Sequence, residues 1–416
     1  ILERVYRTAD VKGCYAATPL KVRSQGVDQL FAVSDRGIMR GIDIPTGDTL
    51  WSITLDVPEG HFADMTSTPA IIDTDGGQLA VVAYQRVRPD GVRDHHGVVV
   101  VDLEARALHP DFPEVTLAAS KPDADGTGTV EFLASHSYSR STIPHGHTAD
   151  STLGFAYVSV GNIQDILPWH GWMFELDLDA WKAGGVDGAL SGVLLTTPET
   201  DCEPEGASGA REMTCGGGIW APAGPKIHQT PDGSFEILVP TGNGQLDVPR
   251  HDYANTLMRA RPGLDYEDGC DVAACADWDV FNPSAECMAS CENLFIPRLQ
   301  PGDPPLSPES GVCDGQTFFE CYATLDWDLG ANSPTRVEIP DGPAVWVLPG
   351  KDGSVYVIDA EHLGTMHDRL HVMPACGTKT DTCKADWAGS FINEPTVTQV
   401  DGEIVVLIPS FEFDKT

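Results

Sequence analysis

Residues 28–55 read DQLFAVSDRGIMRGIDIPTGDTLWSITL, and this stretch decides the fold class of the chain. It holds three short apolar runs, LFAVS, IMRGIDI and TLWSITL, which are separated by glycine-containing turns at 35–37 and 46–47. Runs of this length, rich in β-branched and aromatic residues and bounded by Gly or Asp, are typical of antiparallel strands. One such sheet cannot bury both of its faces, so the stretch predicts further copies.

Weaker copies follow along the rest of the chain. Pairs of apolar strands begin near residues 14, 65, 147, 219, 327 and 393. The run 172–181 is expected to continue as one strand, and the segment 94–97 is expected to be a turn, with metal binding as the alternative. The last pair lacks outer strands, and the N-terminal run ILERVYR is a candidate to supply one. The pattern predicts an all-β chain with a single domain over residues 1–416. A cysteine- and proline-rich acidic insertion at 264–310 is expected to lie outside the repeating sheets.

The order of these elements resembles the blade repeat of pyrroloquinoline-quinone (PQQ)-type β-propellers. That repeat has a D-x-G turn, a strand ending in Asp, a T-G-D turn and a strand containing Trp, all of which residues 28–55 show. The strings HGW, GGIWAP, GNG and GKDGSVY are similar to those of shorter secreted bacterial members, and they begin at residues 170, 217, 242 and 350. The resemblance implies a β-propeller of six or seven four-stranded blades.

The PQQ-dependent alcohol dehydrogenases of this group carry their site residues in a fixed order, and this chain shows similar elements in that order. By resemblance, Trp220 corresponds to the floor of the cofactor pocket and Asn243 to a ligand of Ca²⁺. Asp328, or alternatively Asp326, corresponds to the catalytic Asp, and Lys351 to the basic residue that faces the quinone.

The resemblance also has departures. Asp165 is nearest to the position of the calcium-binding Glu, with an imperfect offset. Six strand pairs are visible where the enzymes have eight blades, and the adjacent cysteine pair of the enzymes is missing. The implied chemistry is coherent, because Ca²⁺ would polarise the quinone, a carboxylate would accept the alcohol proton and an ammonium would stabilise negative charge. Fold is nevertheless implied more firmly than activity.

Three histidines form a separate metal hypothesis. His145 and His147 stand in an H-x-H pattern, which places two imidazoles on one face of an extended strand. Together with His170 they could bind copper or zinc, whereas hydrogen-bonded histidines near the ring axis are the alternative.

The charge of the chain argues against two classes of partner. The 62 acidic and 26 basic residues give a formal charge of −36. Nucleic-acid binding requires clustered Lys and Arg against phosphates, and anionic membrane surfaces attract the same residues. We therefore expect neither nucleic acid nor a membrane as the partner.

The eleven cysteines are locally spaced, which favours disulfides in an oxidising compartment. One loop each is flanked by Cys202/Cys215, Cys313/Cys321 and Cys376/Cys383. Zinc is the rival for Cys270, Cys275, Cys287 and Cys291 in the insertion. The acidic side chains of the same insertion are a candidate Ca²⁺ site, with a solvated acidic loop as the alternative. Cys14 lies outside these local groups and is expected to be a small buried residue.

The sequence predicts a secreted, periplasmic or cell-surface protein, since the cysteines favour export and no apolar run is long enough to span a membrane. The leading hypothesis is a binding or scaffold protein of the cell envelope or exterior. Its protein or small-molecule partner would contact the propeller face, with a metal or small-ligand site at the axis. A PQQ- and calcium-dependent oxidoreductase and a histidine-based metal-binding propeller are the alternatives.

Overall fold

The computed structural model describes residues 14, 17–162, 168–200, 202, 215–300, 318–319, 327–371 and 394–408. Within these ranges the chain is mostly β, as expected. Five sheets of four or more strands follow one another in chain order, and a two-stranded hairpin comes after them.

The strands are short and mostly paired with their neighbours in sequence. The first sheet contains β1 (Leu20–Ser24), β2 (Val27–Val33), β3 (Ile38–Asp43) and β4 (Thr49–Thr54). The second contains β5 (Phe62–Asp64), β6 (Ala70–Thr74), β7 (Gly77–Val87), β8 (Arg93–Asp102), β9 (Ala107–Leu108) and β10 (Val115–Thr116), and the hairpin of β11 (Ser120–Pro122) and β12 (Thr129–Glu131) follows. The third contains β13 (Ser137–Tyr138), β14 (His145–Gly146), β15 (Phe155–Asn162), β16 (Trp172–Asp177) and β17 (Leu190–Leu195), with helix α1 (Leu178–Gly184) before β17.

The later sheets continue this order. The fourth contains β18 (Lys226–Gln229), β19 (Phe235–Pro240), β22 (Leu257–Ala260) and β23 (Leu294–Phe295), with the hairpin β20 (Leu246–Asp247) and β21 (Asp252–Tyr253) and the helix α2 (Ala285–Ser290) in its loops. The fifth contains β24 (Thr335–Glu338), β25 (Ala344–Pro349), β26 (Ser354–Asp359) and β27 (Met366–His371). The final hairpin is β28 (Thr396–Val400) and β29 (Glu403–Leu407).

The first sheet forms as the sequence predicts, because its turns and its tryptophan have fixed positions. Gly37 and Gly47 adopt positive φ angles of 70° and 78° in the two turns, a conformation that favours glycine. Trp51 on β4 stacks on Phe31, with 5.9 Å between ring centroids, and its Nε1–H donates to the side chain of Gln29. A Cβ on Gly41 would collide with the Trp51 ring, so this glycine opens the face on which the indole lies.

Each sheet packs face to face with the next one along the chain. In β7, Val82 belongs to the apolar cluster shared with the first sheet, whereas its neighbour Val81 belongs to the cluster shared with the third. Because alternate residues of a strand face opposite sides, one sheet can fill both of these layers. Similar layers join the third sheet to the fourth, the fourth to the fifth, and the fifth to the final hairpin.

The first strands of neighbouring sheets also contact one another near their beginnings. Thr68 accepts hydrogen bonds from the backbone of both Thr18 and Ile143, and so joins the first three sheets. Thr142 donates to the carbonyl of Pro222 and Thr335 to that of Pro395, which extends the chain of contacts to the hairpin. Sheets that meet at their inner strands and stack in sequence have the arrangement of a β-propeller.

Three local expectations are corrected. The run 172–181 does not continue as one strand, because the Asp177 side chain accepts the Ala180 N–H and begins α1. The segment 94–97, expected to be a turn, lies inside β8. The insertion is not wholly outside the sheets, because Leu294 and Phe295 within 264–310 form the fourth strand of the fourth sheet.

Disulfides form where local spacing predicted them. Cys202 joins Cys215, and the insertion is closed by Cys270–Cys291 and Cys275–Cys287. The insertion cysteines are therefore disulfides and not the zinc ligands of the rival hypothesis. Cys14, expected to be buried, is exposed. The pairs expected at Cys313/Cys321 and Cys376/Cys383 lie outside the described residues. No helix in the described ranges is long and apolar enough to cross a membrane.

Candidate functional site

Four residues named from the sequence meet at one end of the fourth and fifth sheets. Trp220 and Asp328 precede the first strands β18 and β24, while Asn243 and Lys351 follow the second strands β19 and β25. In an antiparallel pair, the start of the first strand and the end of the second lie at the same end. Arg140, which precedes β14, joins them from the third sheet. We call these five residues the axial cluster.

Asp328 is the buried anion of the axial cluster. Its Oδ1 accepts the backbone N–H of Asn243 at 2.6 Å, and its Oδ2 accepts from Lys351 Nζ at 2.6 Å. Both charged side chains are only 3% exposed. The Asp328 carboxylate therefore joins the 241–244 turn of the fourth sheet to the 350–353 turn of the fifth.

Trp220 carries two cations on its indole ring. The Arg140 guanidinium carbon lies 4.2 Å from the ring centroid, and Lys351 Nζ lies 4.9 Å from it. Both distances are within the range of a cation–π interaction. A Cβ on Gly242 would lie 2.8 Å from Asp328 Oδ1 and 2.9 Å from Trp220 Nε1, so the backbone of this turn approaches both groups closely. Arg140 is exposed, whereas Trp220 and Asn243 are half-buried.

A second buried ion pair supports the turn that carries Lys351. Asp352 Oδ2 accepts from Arg369 Nη2 at 3.2 Å and from the Tyr356 hydroxyl at 3.0 Å. Burial holds the pKa of Tyr356 well above its usual value, so the phenol remains a donor. The turn is closed by the Gly353 N–H, which donates to the Gly350 carbonyl. Lys351 is thus held by its own element as well as by Asp328.

Arg140 and Arg369 were not predicted from the sequence. Arg140 lies four residues before Pro144, in the segment that leads into a first strand, and Gly218 beside Trp220 holds the same offset from Pro222. This spacing was the available signal for Arg140. Arg369 lies on β27, and nothing in its local sequence indicates that it reaches Asp352.

The described residues do not fit a calcium ion at Asp328. Both carboxylate oxygens already accept strong hydrogen bonds, and the lysine ammonium beside them would repel a second cation. Asn243 reaches Asp328 through its backbone N–H, whereas the calcium hypothesis requires its side-chain oxygen. Asp165 and Asp326 lie outside the described residues. A planar cofactor on Trp220 would also have to share the ring with Arg140 and Lys351.

The three histidines of the metal hypothesis do not come together. His145 and His147 are in contact, with 4.4 Å between ring centroids, and the pKa of His145 is lowered by burial. His145 pairs with Ala156 near the start of β15, whereas His170 precedes β16, which pairs with the other end of β15. Because a strand rises about 3.3 Å per residue, roughly 13 Å of strand separates the two places. The expected site is therefore divided.

His170 instead lies beside a disulfide. Its Nε2 is 3.7 Å from Cys202 Sγ, and its Nδ1 is 2.8 Å from the carbonyl oxygen of Thr197. Burial lowers the pKa of His170 to about 4, so the ring is neutral at ordinary pH.

The carboxylates of the insertion stabilise its own turns. Asp268 accepts from the Tyr253 hydroxyl and from the Cys270 N–H, and Asp271 accepts from the Ala273 N–H. Among the described residues, the single group of three or more potential metal ligands consists of His170, Cys202 and Cys215. The geometry thus favours the solvated acidic loop over a Ca²⁺ site in this insertion.

No family model matches the chain, and no curated protein matches it in sequence. Its fold is similar to a quinohemoprotein alcohol dehydrogenase from Pseudomonas putida, at 14% identity and a TM-score of 0.45 over 88% of this chain and 43% of that one. The enzyme of the same kind from Comamonas testosteroni gives 11% identity and a TM-score of 0.47 over 88% and 45%. BamB from Moraxella catarrhalis gives 10% and 0.39 over 96% and 71%. The chain spans less than half of each dehydrogenase, and these likenesses concern the fold alone.

Proposed function

We propose that the protein is an exported binding propeller of six or seven blades, and that its axial cluster holds a small anionic ligand. The carrying observation is that Arg140 and Lys351 converge on Trp220 in a chain whose formal charge is −36. Lys351 is paired with Asp328, so Arg140 is the cation of this cluster that would attract an anion to an otherwise acidic molecule. The disulfides support an oxidising, extracytoplasmic location.

The two cations differ in burial, and this difference supports a binding role over a catalytic one. Lys351 is buried and neutralised by Asp328, so it fixes the turn and the indole. Arg140 is exposed, and its guanidinium lies on the same indole. An arginine set on an aromatic face recognises a carboxylate or phosphate by paired hydrogen bonds. The ligand would carry such a group beside a planar or apolar part that contacts Trp220.

The first prediction tests this site with two tricarboxylates, the planar PQQ and the non-planar citrate, by titration calorimetry without Ca²⁺. We expect PQQ to bind more tightly than citrate, because only PQQ offers a planar part for Trp220 to contact. We expect Arg140→Gln to weaken PQQ binding about tenfold or more, because a hydrogen bond to a charged group contributes about 1.5–3 kcal/mol. Arg23→Gln is the control, since this exposed arginine lies at the β1–β2 turn, away from the cluster. No binding of either probe, or equal binding by both variants, would contradict the proposal.

The quinoprotein dehydrogenase remains the second candidate, favoured by the meeting of Trp220, Asn243, Asp328 and Lys351 in one cluster. This candidate predicts that PQQ binding depends on Ca²⁺ and that the protein reduces a dye when alcohol is added. Asp328→Asn should abolish the dye reduction. Calcium-independent PQQ binding without dye reduction would favour the binding propeller.

A further inference from the structure

His170, Cys202 and Cys215 form a compact group at the edge of the third sheet, separate from the axial cluster. Their ligand atoms, one from each residue, all lie within 4.8 Å of one another. All three residues are buried, with exposures of 8%, 3% and 0%. The two cysteines are joined as a disulfide, so their sulfurs are occupied in this state.

The hydrogen bonds around His170 fix its tautomer. The Thr197 hydroxyl donates to the Gly216 carbonyl, so it has no proton left for the imidazole. Nδ1 faces the Thr197 carbonyl oxygen at 2.8 Å and must therefore be the N–H donor. In the neutral ring, Nε2 is then left with its lone pair, and it points at Cys202 Sγ.

This is the orientation of a metal-binding histidine. Metal-ligating histidines commonly donate one ring N–H to a backbone carbonyl, which directs the other nitrogen to the metal. Two thiolates and one imidazole are ligands that zinc accepts, with a water in the fourth position. A disulfide does not require a buried histidine with a fixed tautomer beside its sulfur.

We propose that this group is a thiol-gated metal site, closed as a disulfide and able to bind Zn²⁺ after reduction. A dithiol reductant attacks Cys202 Sγ, and Cys215 leaves as a thiolate. The second thiol of the reductant then displaces Cys202, so the reductant becomes a disulfide and the protein gains two electrons and two protons. Zn²⁺ binding by both sulfurs and His170 Nε2 releases the two thiol protons.

A change of this group between the disulfide and the metal-bound state would be transmitted to the axial cluster through backbone contacts. The Cys215 carbonyl accepts the Gln245 N–H, and the Gly217 N–H donates to the Asn243 carbonyl. A Cβ on Gly244 would collide with the Cys215 carbonyl, so the two segments are in direct contact. The metal state of the group would therefore bias the turn whose Asn243 N–H binds Asp328. The metal site itself does not depend on the proposed anion site.

The test uses the full chain, reduced by a dithiol, freed of reductant without oxygen, and titrated with Co²⁺ as a spectroscopic probe for Zn²⁺. We expect the reduced protein to show thiolate-to-cobalt absorption that the oxidised protein lacks. His170→Gln keeps both sulfurs and should lower the Co²⁺ affinity about tenfold or more and change the ligand-field bands. The double variant Cys202→Ser with Cys215→Ser should lose one equivalent of bound cobalt.

The matched control is Cys275→Ser with Cys287→Ser, which removes a disulfide of the insertion and leaves the group intact. It should retain the His170-dependent cobalt signal. Circular dichroism of each oxidised variant checks that it is folded, and His170→Gln preserves the test if the cysteine variants unfold. Equal cobalt binding by the oxidised protein, or by reduced His170→Gln, would overturn the proposal.

Discussion

Asp252 is a buried carboxyl group whose charge the fold does not satisfy. It is fully buried, and no described residue donates a hydrogen bond to either of its oxygens. Burial, and the Glu199 carboxylate beside it, hold the pKa of Asp252 well above its ordinary value. Arg250 neutralises Glu199 but contributes less at Asp252. The protonated form of Asp252 can donate to Glu199, which makes it the form that the fold favours.

A pH prediction follows for Asp252. Its raised pKa means that the folded state binds more protons than the unfolded state, so stability falls as pH rises above about 3.8. Asp252→Asn should raise the free energy of unfolding at pH 8 by more than about 1 kcal/mol, because Asn is neutral at every pH and folding no longer has to protonate a carboxyl group. The difference should vanish near pH 3, where both forms are neutral. Urea unfolding at several pH values measures it, with exposed Asp187→Asn as the control; a pH-independent difference would contradict the argument.

The axial cluster shows how far single residues could be predicted. Trp220, Asn243, Asp328 and Lys351 each stand at a strand end in a repeating pattern, so their meeting followed from the repeat. Their partners did not, because the Asn243 contact with Asp328 uses a backbone N–H and joins two sheets, and the Lys351 contact joins two separate loops of the fifth sheet. Local spacing carries no information about which of two nearby polar groups turns towards a given carboxylate.

Among the elements, helix α1 depends on a single capping residue. Asp177 ends β16 in extended backbone and accepts the Ala180 N–H at 2.9 Å, which satisfies one free donor of the first turn. Asp177→Ala should lower the free energy of unfolding by about 1 kcal/mol, whereas Asp177→Asn should be nearly neutral because Asn caps equally well. Urea midpoints of the two variants measure this. Equal losses in both would point to the charge of Asp177 and not to the cap.

The strand assignments were correct where glycine turns separate the strands. They were wrong where the local sequence fits more than one kind of element or shows no period. The first sheet was predicted because glycines with positive φ mark the turns between β2 and β3 and between β3 and β4. The run 172–181 was misassigned because its apolar residues fit a strand and a short helix equally well, and the Asp177 cap decides between them. Strand β23 was missed because two residues within a cysteine-rich insertion show no period.

For the whole molecule, the charge of −36 predicts a dependence on salt. Like charges repel in the compact state, and salt screens that repulsion over about 8–10 Å at 0.1–0.15 M. Raising NaCl from low concentration to 0.3 M should therefore raise the unfolding temperature by several degrees. Differential scanning calorimetry measures this shift, and sucrose of equal osmolality is the uncharged control. An unfolding temperature that falls with salt would show that attractive ion pairs outweigh the net repulsion.

The amino-acid sequence by itself determined the all-β character, the repeating sheets, the local disulfides and the strand ends at which polar residues collect. These features depend on period, turn residues and short separations, which are local properties of the chain. Tertiary structure alone decided that Lys351 neutralises Asp328, that Arg140 lies on Trp220, and that His170 faces Cys202 and not His145. Such contacts join residues on different loops, and their geometry exists only once the strands and sheets that carry those loops have packed.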